Sequence, residues 1–165
     1  HSCALFQDGR LKCWGSNLFG QSIVPEDLGP ALSLKAGSWH TCALLKNDSV
    51  KCWGGNFYGQ LGLGDTSDRG DVVGEVGAAL PTVSLGTGRT ARAVRVGTRH
   101  SCALLDDGSI KCWGSNVDGE LGQGDVRSRG INANEMGNFL APSGRAAFLA
   151  AFAVLISSYS AFLAS

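Results

Sequence analysis

Six cysteines in three equally spaced pairs are the residues of this sequence best suited to chemistry. In each pair the second cysteine follows the first by ten positions, and a histidine stands two positions before the first. The pairs are Cys3 and Cys13, Cys42 and Cys52, and Cys102 and Cys112. Two thiols that meet can form a disulfide, and thiolates together with histidine can bind zinc. The strands that carry the cysteines decide between these outcomes.

The residues between the two cysteines of a pair predict a β-hairpin. In the third unit a loop at 106–108 separates two apolar stretches. Three-residue hairpin loops end in a left-handed residue, which Gly108 supplies and Asp48 tolerates in the second unit. With that loop length, residues whose numbers sum to 214 lie opposite each other, so Cys102 faces Cys112. The spacing therefore favours one disulfide within each hairpin.

Three disulfides would stabilise the fold and would point to an oxidising compartment. The chain-entropy argument gives each short loop about 2.5–3 kcal/mol. Such bonds are rare in the cytosol, so we expect an extracellular or cell-surface protein, with cytoplasm or nucleus as the alternative. The cysteines could instead be small buried apolar residues of a reduced protein. Zinc is the third alternative, although its cysteine pairs are usually closer and each unit lacks a fourth ligand.

The hairpins belong to an internal repeat with units starting near His1, His40 and His100. A spacer lengthens the second unit, and the match between Arg69-Gly70 and Arg129-Gly130 shows that spacer and hairpin repeat together. An apolar strand is predicted before each later hairpin, with Leu32, Leu34 and Ala36 alternating in the second unit. We expect the histidines to hydrogen-bond within their own units and Trp14, Trp53 and Trp113 to pack in the cores.

The repeated motif is Gly-x-x-His-x-Cys-Ala-Leu-Leu, then Lys-Cys-Trp-Gly-x-Asn-x-x-Gly-Gln-Leu-Gly, with departures at Ser22 and Glu120. This pattern resembles the repeats of the regulator of chromosome condensation family, over residues 1 to about 141. The resemblance implies an all-β fold, a β-propeller that is normally seven-bladed and mainly binds proteins. A propeller closes with about 4–8 blades. We therefore expect a partial, open propeller of about three blades built from antiparallel hairpins, with adjacent blades missing.

The tail, 142–165, forms a separate region in which the repeat pattern fails. Its segment 146–164 has no charged residue and is apolar on all sides, so we predict a C-terminal apolar helix. As a helix, the 20 residues 146–165 would match the roughly 30 Å hydrocarbon layer of a membrane. A transmembrane or anchor helix, a helix that caps an open blade, and a reading artefact remain the three interpretations.

Charge and motifs restrict the function classes. Lys and Arg number 14 and so do Asp and Glu, so no broad basic face is available for nucleic acid. No catalytic constellation, cofactor motif or phosphate loop is present, so we expect no enzyme and no cofactor. Asn47 begins a glycosylation sequon at a predicted hairpin tip. Arg69-Gly70-Asp71 spells an integrin-binding tripeptide, but the third unit repeats only its Arg-Gly half.

The sequence thus predicts a noncatalytic protein–protein interaction module of a secreted or cell-surface protein. Its contacts are expected on the spacer loops 63–90 and 123–141 and on an aromatic and basic set of side chains. The candidate contact residues are Trp39, Arg69, Arg89, Arg92, Arg95, Arg99 and Arg129. The alternatives are a guanine-nucleotide exchange factor for a small GTPase, as the resemblance implies for one family member, and a purely structural repeat array.

Overall fold

A computed structural model describes residues 1–72 and 74–143 of the 165-residue chain. Within these residues, eight antiparallel strands form one two-stranded and two three-stranded sheets, in the orders β1-β2, β3-β4-β5 and β6-β7-β8. The strands are β1 (Ser2–Leu5), β2 (Leu11–Trp14), β3 (Ala31–Ala36), β4 (His40–Leu45), β5 (Val50–Gly54), β6 (Ala91–Val96), β7 (His100–Leu105) and β8 (Ile110–Gly114). Single 3₁₀ turns lie at Gly77–Ala79, Ala133–Glu135 and Gly137–Phe139. The predicted all-β fold class is confirmed.

Each unit contributes one sheet, and the spacer returns to that sheet as a short outer segment. Arg69 pairs with Gly54 at the end of β5, and Arg129 pairs with Gly114 at the end of β8. The first unit contacts the second through β1 and β3, and the second contacts the third through β4 and β6. The sheets therefore form an open series of three blades, as the sequence predicts.

The hairpin register confirms the predicted cysteine pairing. Cys42 lies opposite Cys52 in the β4–β5 ladder, and Cys102 lies opposite Cys112 in the β7–β8 ladder. Disulfides join all three predicted pairs, with Cα–Cα separations of 4.0, 4.1 and 4.0 Å. A sulfur atom in a disulfide is not the thiolate that zinc requires. Across the described residues, no cluster of three or more histidine, cysteine or acidic side chains could hold a metal ion.

The hairpin turns have the expected backbone conformation. Asp48 has φ of 62° and Gly108 has φ of 82°, both in the left-handed region. The Leu105 amide donates to the Ser109 carbonyl across the loop at 2.9 Å. Three-residue loops need a left-handed residue at this position to reverse the chain without splaying the strands. The loop chemistry therefore sets the register that brings the cysteines together.

The first strand of each later unit departs from simple alternation. A register shift between Ala31 and Ser33 interrupts the β3–β4 ladder, and an equivalent shift occurs in β6–β7. The shift leaves Leu32 50% exposed, while Ala31 is buried. The expectation that Leu32, Leu34 and Ala36 share one apolar face is wrong, because a bulge rotates the strand there.

The hydrophobic core lies between the blades. Trp53 and Trp113 are fully buried, and the Trp113 indole donates to the Gln60 carbonyl of the preceding unit at 3.0 Å. Trp14 is 52% exposed, because no described blade packs against its ring. The expectation of core packing is therefore confirmed for Trp53 and Trp113 and wrong for Trp14. Burial of these indole rings depends on the preceding blade, because the rings lie on the face that meets it.

The predicted helix at 146–164 and most of the region 142–165 lie outside the described residues. Within 1–72 and 74–143, none of the helical segments has the length and hydrophobicity to cross a membrane. The chain keeps the repeat path to the last described residue. The Ser143 amide donates to the Ile110 carbonyl at 2.7 Å, as the Val83 amide donates to the Val50 carbonyl at 2.8 Å one unit earlier.

Candidate protein-interaction surface

One loop of each unit, the Asn-x-x-Gly loop, presents side chains at the same end of the blades. In the second unit the Asn56 side chain accepts from the Leu61 amide at 3.0 Å and donates to the Asp65 carbonyl at 2.9 Å. In the third unit Asn116 makes the equivalent bonds to the Leu121 amide and the Asp125 carbonyl. Asparagine therefore fixes the loop to the spacer from inside, and the two residues after it point outward.

The first outward residue of this loop is a large exposed hydrophobic side chain in every unit. Leu18 is 81% exposed, Phe57 is 79% exposed and Val117 is 59% exposed. These residues occupy equivalent positions 39 and 60 residues apart. Exposed apolar side chains that recur at one end of a scaffold are typical of protein-binding surfaces.

Contacts between aromatic side chains and one arginine connect these loops into one continuous surface. The Arg99 guanidinium lies 5.0 Å from the Trp39 ring and 5.2 Å from the Tyr58 ring. Phe19 contacts Trp39 edge to face at 6.1 Å, and Phe57 contacts Tyr58 in the same manner at 5.7 Å. We call this set, Phe19, Trp39, Phe57, Tyr58 and Arg99, the aromatic ridge. It crosses all three units, because each unit supplies at least one member.

A hydrogen-bonded relay joins neighbouring units beneath the ridge. The His40 Nε2 atom lies 2.9 Å from the Ser101 hydroxyl, which donates to the Gln60 carbonyl at 2.9 Å. In the first interface His1 lies 2.7 Å from the Thr41 hydroxyl, and Thr41 donates to the Gln21 carbonyl at 2.9 Å. The expectation that each histidine bonds within its own unit is wrong for His1 and His40, because their rings lie on the blade face that meets the next unit.

The relay fixes the protonation of its buried histidine. A hydroxyl has one proton, and Ser101 gives that proton to Gln60, so His40 must donate from Nε2. Complete burial, with a smaller contribution from His100, lowers the pKa of His40 to about 3. His40 is therefore neutral at physiological pH and acts as a structural donor.

Gly37 leaves room for the His40 ring, and Gly97 leaves room for the His100 ring. A Cβ atom on Gly37 would lie 2.7 Å from the His40 Nδ1 atom and 2.8 Å from the Gly97 carbonyl. Gly97 stands in the same relation to the His100 ring. The first glycine of the Gly-x-x-His motif is therefore required by the close approach of the histidine ring.

Two of the predicted contact arginines are occupied inside the spacer loops. Arg69 pairs with Asp65 at 2.7 Å and also donates to the Ser67 carbonyl at 2.7 Å. Arg129 makes the same bonds to Asp125 and to the Arg127 carbonyl. Leu80 and Leu140, equivalent residues of the two spacers, are buried. The spacers are thus packed against the blades, and Arg69 and Arg129 stabilise the spacer loops through bonds within those loops.

The remaining arginines do not form one basic patch. Arg89 pairs with Asp106 and Asp107, both at 3.1 Å, at the hairpin end of β6. Arg92 is exposed on β6, and Arg95 donates to the Val94 carbonyl at 2.9 Å. Burial first, and the charge of Arg95 second, lower the pKa of Lys35 on β3, a strand of the neighbouring sheet that contacts β6. Arg99 lies beyond the other end of β6, so these four arginines are spread along the strand.

The glycosylation candidate lies at an exposed turn. The Asn47 side-chain oxygen accepts from the Ser49 amide at 3.2 Å and from the Ser49 hydroxyl at 2.7 Å. Asp107 makes the same turn with Ser109 in the third unit. Asn47 is exposed at the hairpin tip, in the position that the sequence predicts.

Sequence reasoning found Trp39 and Arg99 but missed the rest of the ridge. Phe19, Phe57 and Tyr58 fall within the Asn-x-x-Gly-Gln motif, whose fixed positions define the fold. The signal was the variable pair between the fixed residues, which is Leu-Phe, Phe-Tyr and Val-Asp in the three units. Two of these three pairs are wholly apolar or aromatic although the loop is at the surface.

Solved structures share the fold over most of this chain. The crystal structure of human WBSCR16 matches 86% of the chain with a TM-score of 0.60 and 22% identity. Prp20p from Saccharomyces cerevisiae matches 86% with a TM-score of 0.60 and 20% identity. Yeast RCC1 (Prp20), solved with Kap60 bound, matches 67% with a TM-score of 0.50 and 25% identity. The chain spans 37%, 36% and 27% of those chains, respectively.

Sequence comparison agrees with the fold. No curated protein matches the chain significantly. One model of the Regulator of chromosome condensation (RCC1) repeat matches residues 1–21, 32–60 and 91–120, which contain the three disulfide-bonded hairpins. A second model of the same repeat matches residues 47–104. The matches, the repeat register and the shared fold lead to one assignment: the chain belongs to the RCC1 repeat family.

Proposed function

We propose that this chain is a noncatalytic protein-binding module whose contact surface is the aromatic ridge with the exposed Leu18 and Val117 beside it. The observation that carries the proposal is the recurrence of a large exposed apolar side chain at the same loop position in all three units. Solvation of these side chains is unfavourable, and a partner that covers them removes that cost.

The composition of the ridge suits a protein partner. Tryptophan, tyrosine and arginine are the residue types most enriched at the energetic centres of protein interfaces. Trp39, Tyr58 and Arg99 are held in one stack and are only partly exposed, so little side-chain freedom remains to be lost on binding. Arg99 also donates to the Tyr58 hydroxyl at 3.4 Å. The stack is a preorganised centre, and Leu18, Phe57 and Val117 lie around it.

The comparisons support protein binding in general. Yeast RCC1 (Prp20), 25% identical over the matched part, was crystallised with the protein Kap60 bound. Protein binding by that relative supports protein binding as the proposed role of the present chain. We infer the chemistry of the partner from the aromatic ridge of this chain, where the Arg99 guanidinium lies among aromatic rings. A partner with an apolar patch and a carboxylate that reaches Arg99 fits this surface best.

The test compares two variants with the same number of exposed apolar residues removed. In the first, Leu18, Phe57 and Val117 are changed to serine. In the second, the matched control, the exposed residues Val72, Val126 and Phe139 are changed to serine. Chemical cross-linking in extracts, with quantitative mass spectrometry, compares both variants with the unchanged chain. We expect the yield of specific cross-links to fall at least tenfold in the first variant and to stay unchanged in the control. Equal retention, or equal loss in both variants, would contradict the proposal.

We also propose that the protein acts in the secretory pathway or at the cell surface. Three disulfides support this compartment, since such bonds persist where the redox environment is oxidising. The exposed sequon at Asn47 supplies the test. We expect a chain sent through a eukaryotic secretory pathway to lose mass on treatment with a peptide N-glycosidase, and Asn47→Gln to show no such loss. No loss from the unchanged secreted chain would remove that support.

A further inference from the structure

In the second and third units, the spacer covers the outer edge of the last strand of the hairpin. Arg69 and Gly54 exchange two backbone hydrogen bonds, of 2.7 and 3.0 Å, at one end of β5. At the other end the Val83 amide donates to the Val50 carbonyl at 2.8 Å. The third unit repeats both contacts along β8. The last strand of each of these hairpins therefore has backbone partners on both sides.

The last strand of the first hairpin, β2, has no such outer partner. Leu11 and Gly15 hold the places of the two bonded residues of β5. Among the described residues, no backbone group outside the first hairpin bonds to the Leu11 carbonyl or to the Gly15 amide and carbonyl. The cause is internal to the chain, because only residues 24–30 lead to β3, whereas residues 63–90 lead to β6. The outer edge of β2 is therefore an open sheet edge.

The short spacer does not supply the missing strand itself. Pro25 and Pro30 have no amide hydrogen to donate to a ladder. The Leu28 amide donates to the Pro25 carbonyl at 3.3 Å in a turn, and Gly29 follows with φ of 79°. A segment with this turn cannot run extended alongside β2, so the edge stays available to another chain.

A cavity of about 430 Å³ adjoins the open edge. The residues with apolar side chains that line it are Leu11, Val24, Pro25, Leu28 and Pro30. In the second unit Val83 is buried in the same hydrophobic cluster as Val50, the residue equivalent to Leu11. The cavity thus adjoins Leu11 as the Val83 side chain adjoins Val50, and it can receive an aliphatic side chain.

The charge beside this cavity is negative. Asp8 and Arg10 also line the cavity, and they pair with each other at 2.6 Å. Glu26 lines it as well, is exposed, and forms no ion pair with any residue that the structure describes. A basic side chain on an incoming segment complements this carboxylate.

We propose that the outer edge of β2 binds an extended segment of a partner protein, which adds to the sheet as an antiparallel strand. The segment carries an aliphatic residue that enters the cavity beside Leu11 and a lysine or arginine close to it that pairs with Glu26. Backbone hydrogen bonds to Leu11 and Gly15 provide affinity, and the cavity and Glu26 provide selectivity. This surface contains no residue of the aromatic ridge, so the inference goes beyond the proposed function.

The test uses the complete chain and the capped peptide Arg-Thr-Lys-Thr-Val-Ser-Lys as the probe. In antiparallel register its arginine lies opposite Gly15 and its valine opposite Leu11, the places that Arg69 and Val83 have in the second unit. Nitrogen-15 NMR follows the Gly15 amide during a titration with the peptide. We expect saturable binding, with solvent exchange of this amide at least tenfold slower at saturation. Absence of saturable binding would overturn the proposal.

Two methylated peptides test the backbone hydrogen bonds. N-methylation of the valine removes the hydrogen that is donated to the Leu11 carbonyl, and affinity should fall at least tenfold. N-methylation of the serine is the matched control, because successive amides of an extended strand point to opposite sides. Its affinity should stay within about threefold of the unmethylated peptide, since the serine amide points away from β2. Equal losses from the two methylations would overturn the proposal.

Two protein variants test the charge complementarity. Glu26→Lys should weaken binding of the peptide at least threefold. Asp118→Lys is the matched control, because Asp118 is an exposed carboxylate that does not line this cavity, and it should leave the affinity unchanged. Equal affinities for the two variants would contradict the role of Glu26 and overturn the stated chemistry of the partner.

Two further measurements distinguish other occupants and the other surface. A Gly15 amide that is already protected without peptide would show that part of this chain, or a second copy of it, covers the edge, and would overturn the proposal. The variant with Leu18, Phe57 and Val117 changed to serine should bind the peptide as the unchanged chain does. A loss of binding in that variant would place the peptide at the ridge and overturn the inference, whereas the proposed function is tested separately by cross-linking.

Discussion

The substitution Ser101→Ala tests the relay between the second and third units. It removes the hydroxyl that accepts from His40 and donates to Gln60. The Gln60 carbonyl still accepts from the Trp113 indole at 3.0 Å, so the loss falls mainly on His40. His40 is fully buried, and its Nε2–H is left without a partner. An unpaired buried donor costs about 2 kcal/mol.

That free energy is measurable in thermal unfolding without reductant. For a chain of this size, about 2 kcal/mol corresponds to a fall in Tm of about 4–8 °C. Ser101→Thr is the matched control, because threonine occupies the equivalent position at Thr41 and keeps the hydroxyl. We expect the threonine variant to stay within about 2 °C of the unchanged chain. Equal Tm values for the alanine and threonine variants would refute the role of the hydroxyl.

Three further outcomes follow from the same contacts. Gly37→Ala should lower the free energy of unfolding in urea by about 1–3 kcal/mol, because the added Cβ meets the His40 ring and the Gly97 carbonyl. In the control Gly55→Ala the added Cβ has no contact closer than 3.3 Å, so the loss should be much smaller. Equal losses in the two variants would contradict this. The pKa of His40 is lowered from 6.5 to about 3, so the unfolded chain binds a proton that the folded chain does not. The contribution of neutral His40 to the free energy of unfolding should therefore be fully present above about pH 6.5 and fall by up to about 1.4 kcal/mol per pH unit below it. Urea unfolding between pH 7 and 4.5 measures this change. A free energy of unfolding that does not change over this range would contradict a buried neutral His40. A double-mutant cycle with Trp39→Ala and Arg99→Ala should give a coupling of about 0.5–1 kcal/mol in the same assay, and no coupling would mean that the stack contributes nothing.

The cysteine ladder was predictable because it depends on local information. Loop length fixes hairpin register, and register fixes which residues lie opposite each other, so Cys102 and Cys112 followed from counting. The left-handed backbone of Asp48 and Gly108 followed from the same loop. No knowledge of how the blades pack was needed.

The relay and the exposure of Leu32 were not predictable in this way. His40 and Ser101 are 61 residues apart, and their contact depends on which blade faces meet. Leu32 is exposed because of a register shift that periodicity does not reveal. Contacts between units also determine the burial of Trp53 and the exposure of Trp14, which have the same place in the motif. Sequence reasoning therefore determined each unit well and the joints between units poorly.

The ridge lies between these cases. The Asn-x-x-Gly loop was recognisable, but the outward direction of Phe57 depends on the bonds that Asn56 makes to Leu61 and Asp65. Arg99 could be singled out as one of several arginines. Its separation from the others became evident only from its stack with Trp39. The same bonds that define the fold thus define which variable residues reach a partner.

The measurement that tests this account most directly is the disulfide map of the purified chain. Thiols are blocked with an alkylating reagent in denaturant without reductant, and the peptides are then identified by mass spectrometry. The account predicts no alkylated cysteine and three linked pairs: Cys3–Cys13, Cys42–Cys52 and Cys102–Cys112. Six alkylated thiols would contradict the disulfides and the proposed compartment, and bonds that join different units would contradict the hairpin register.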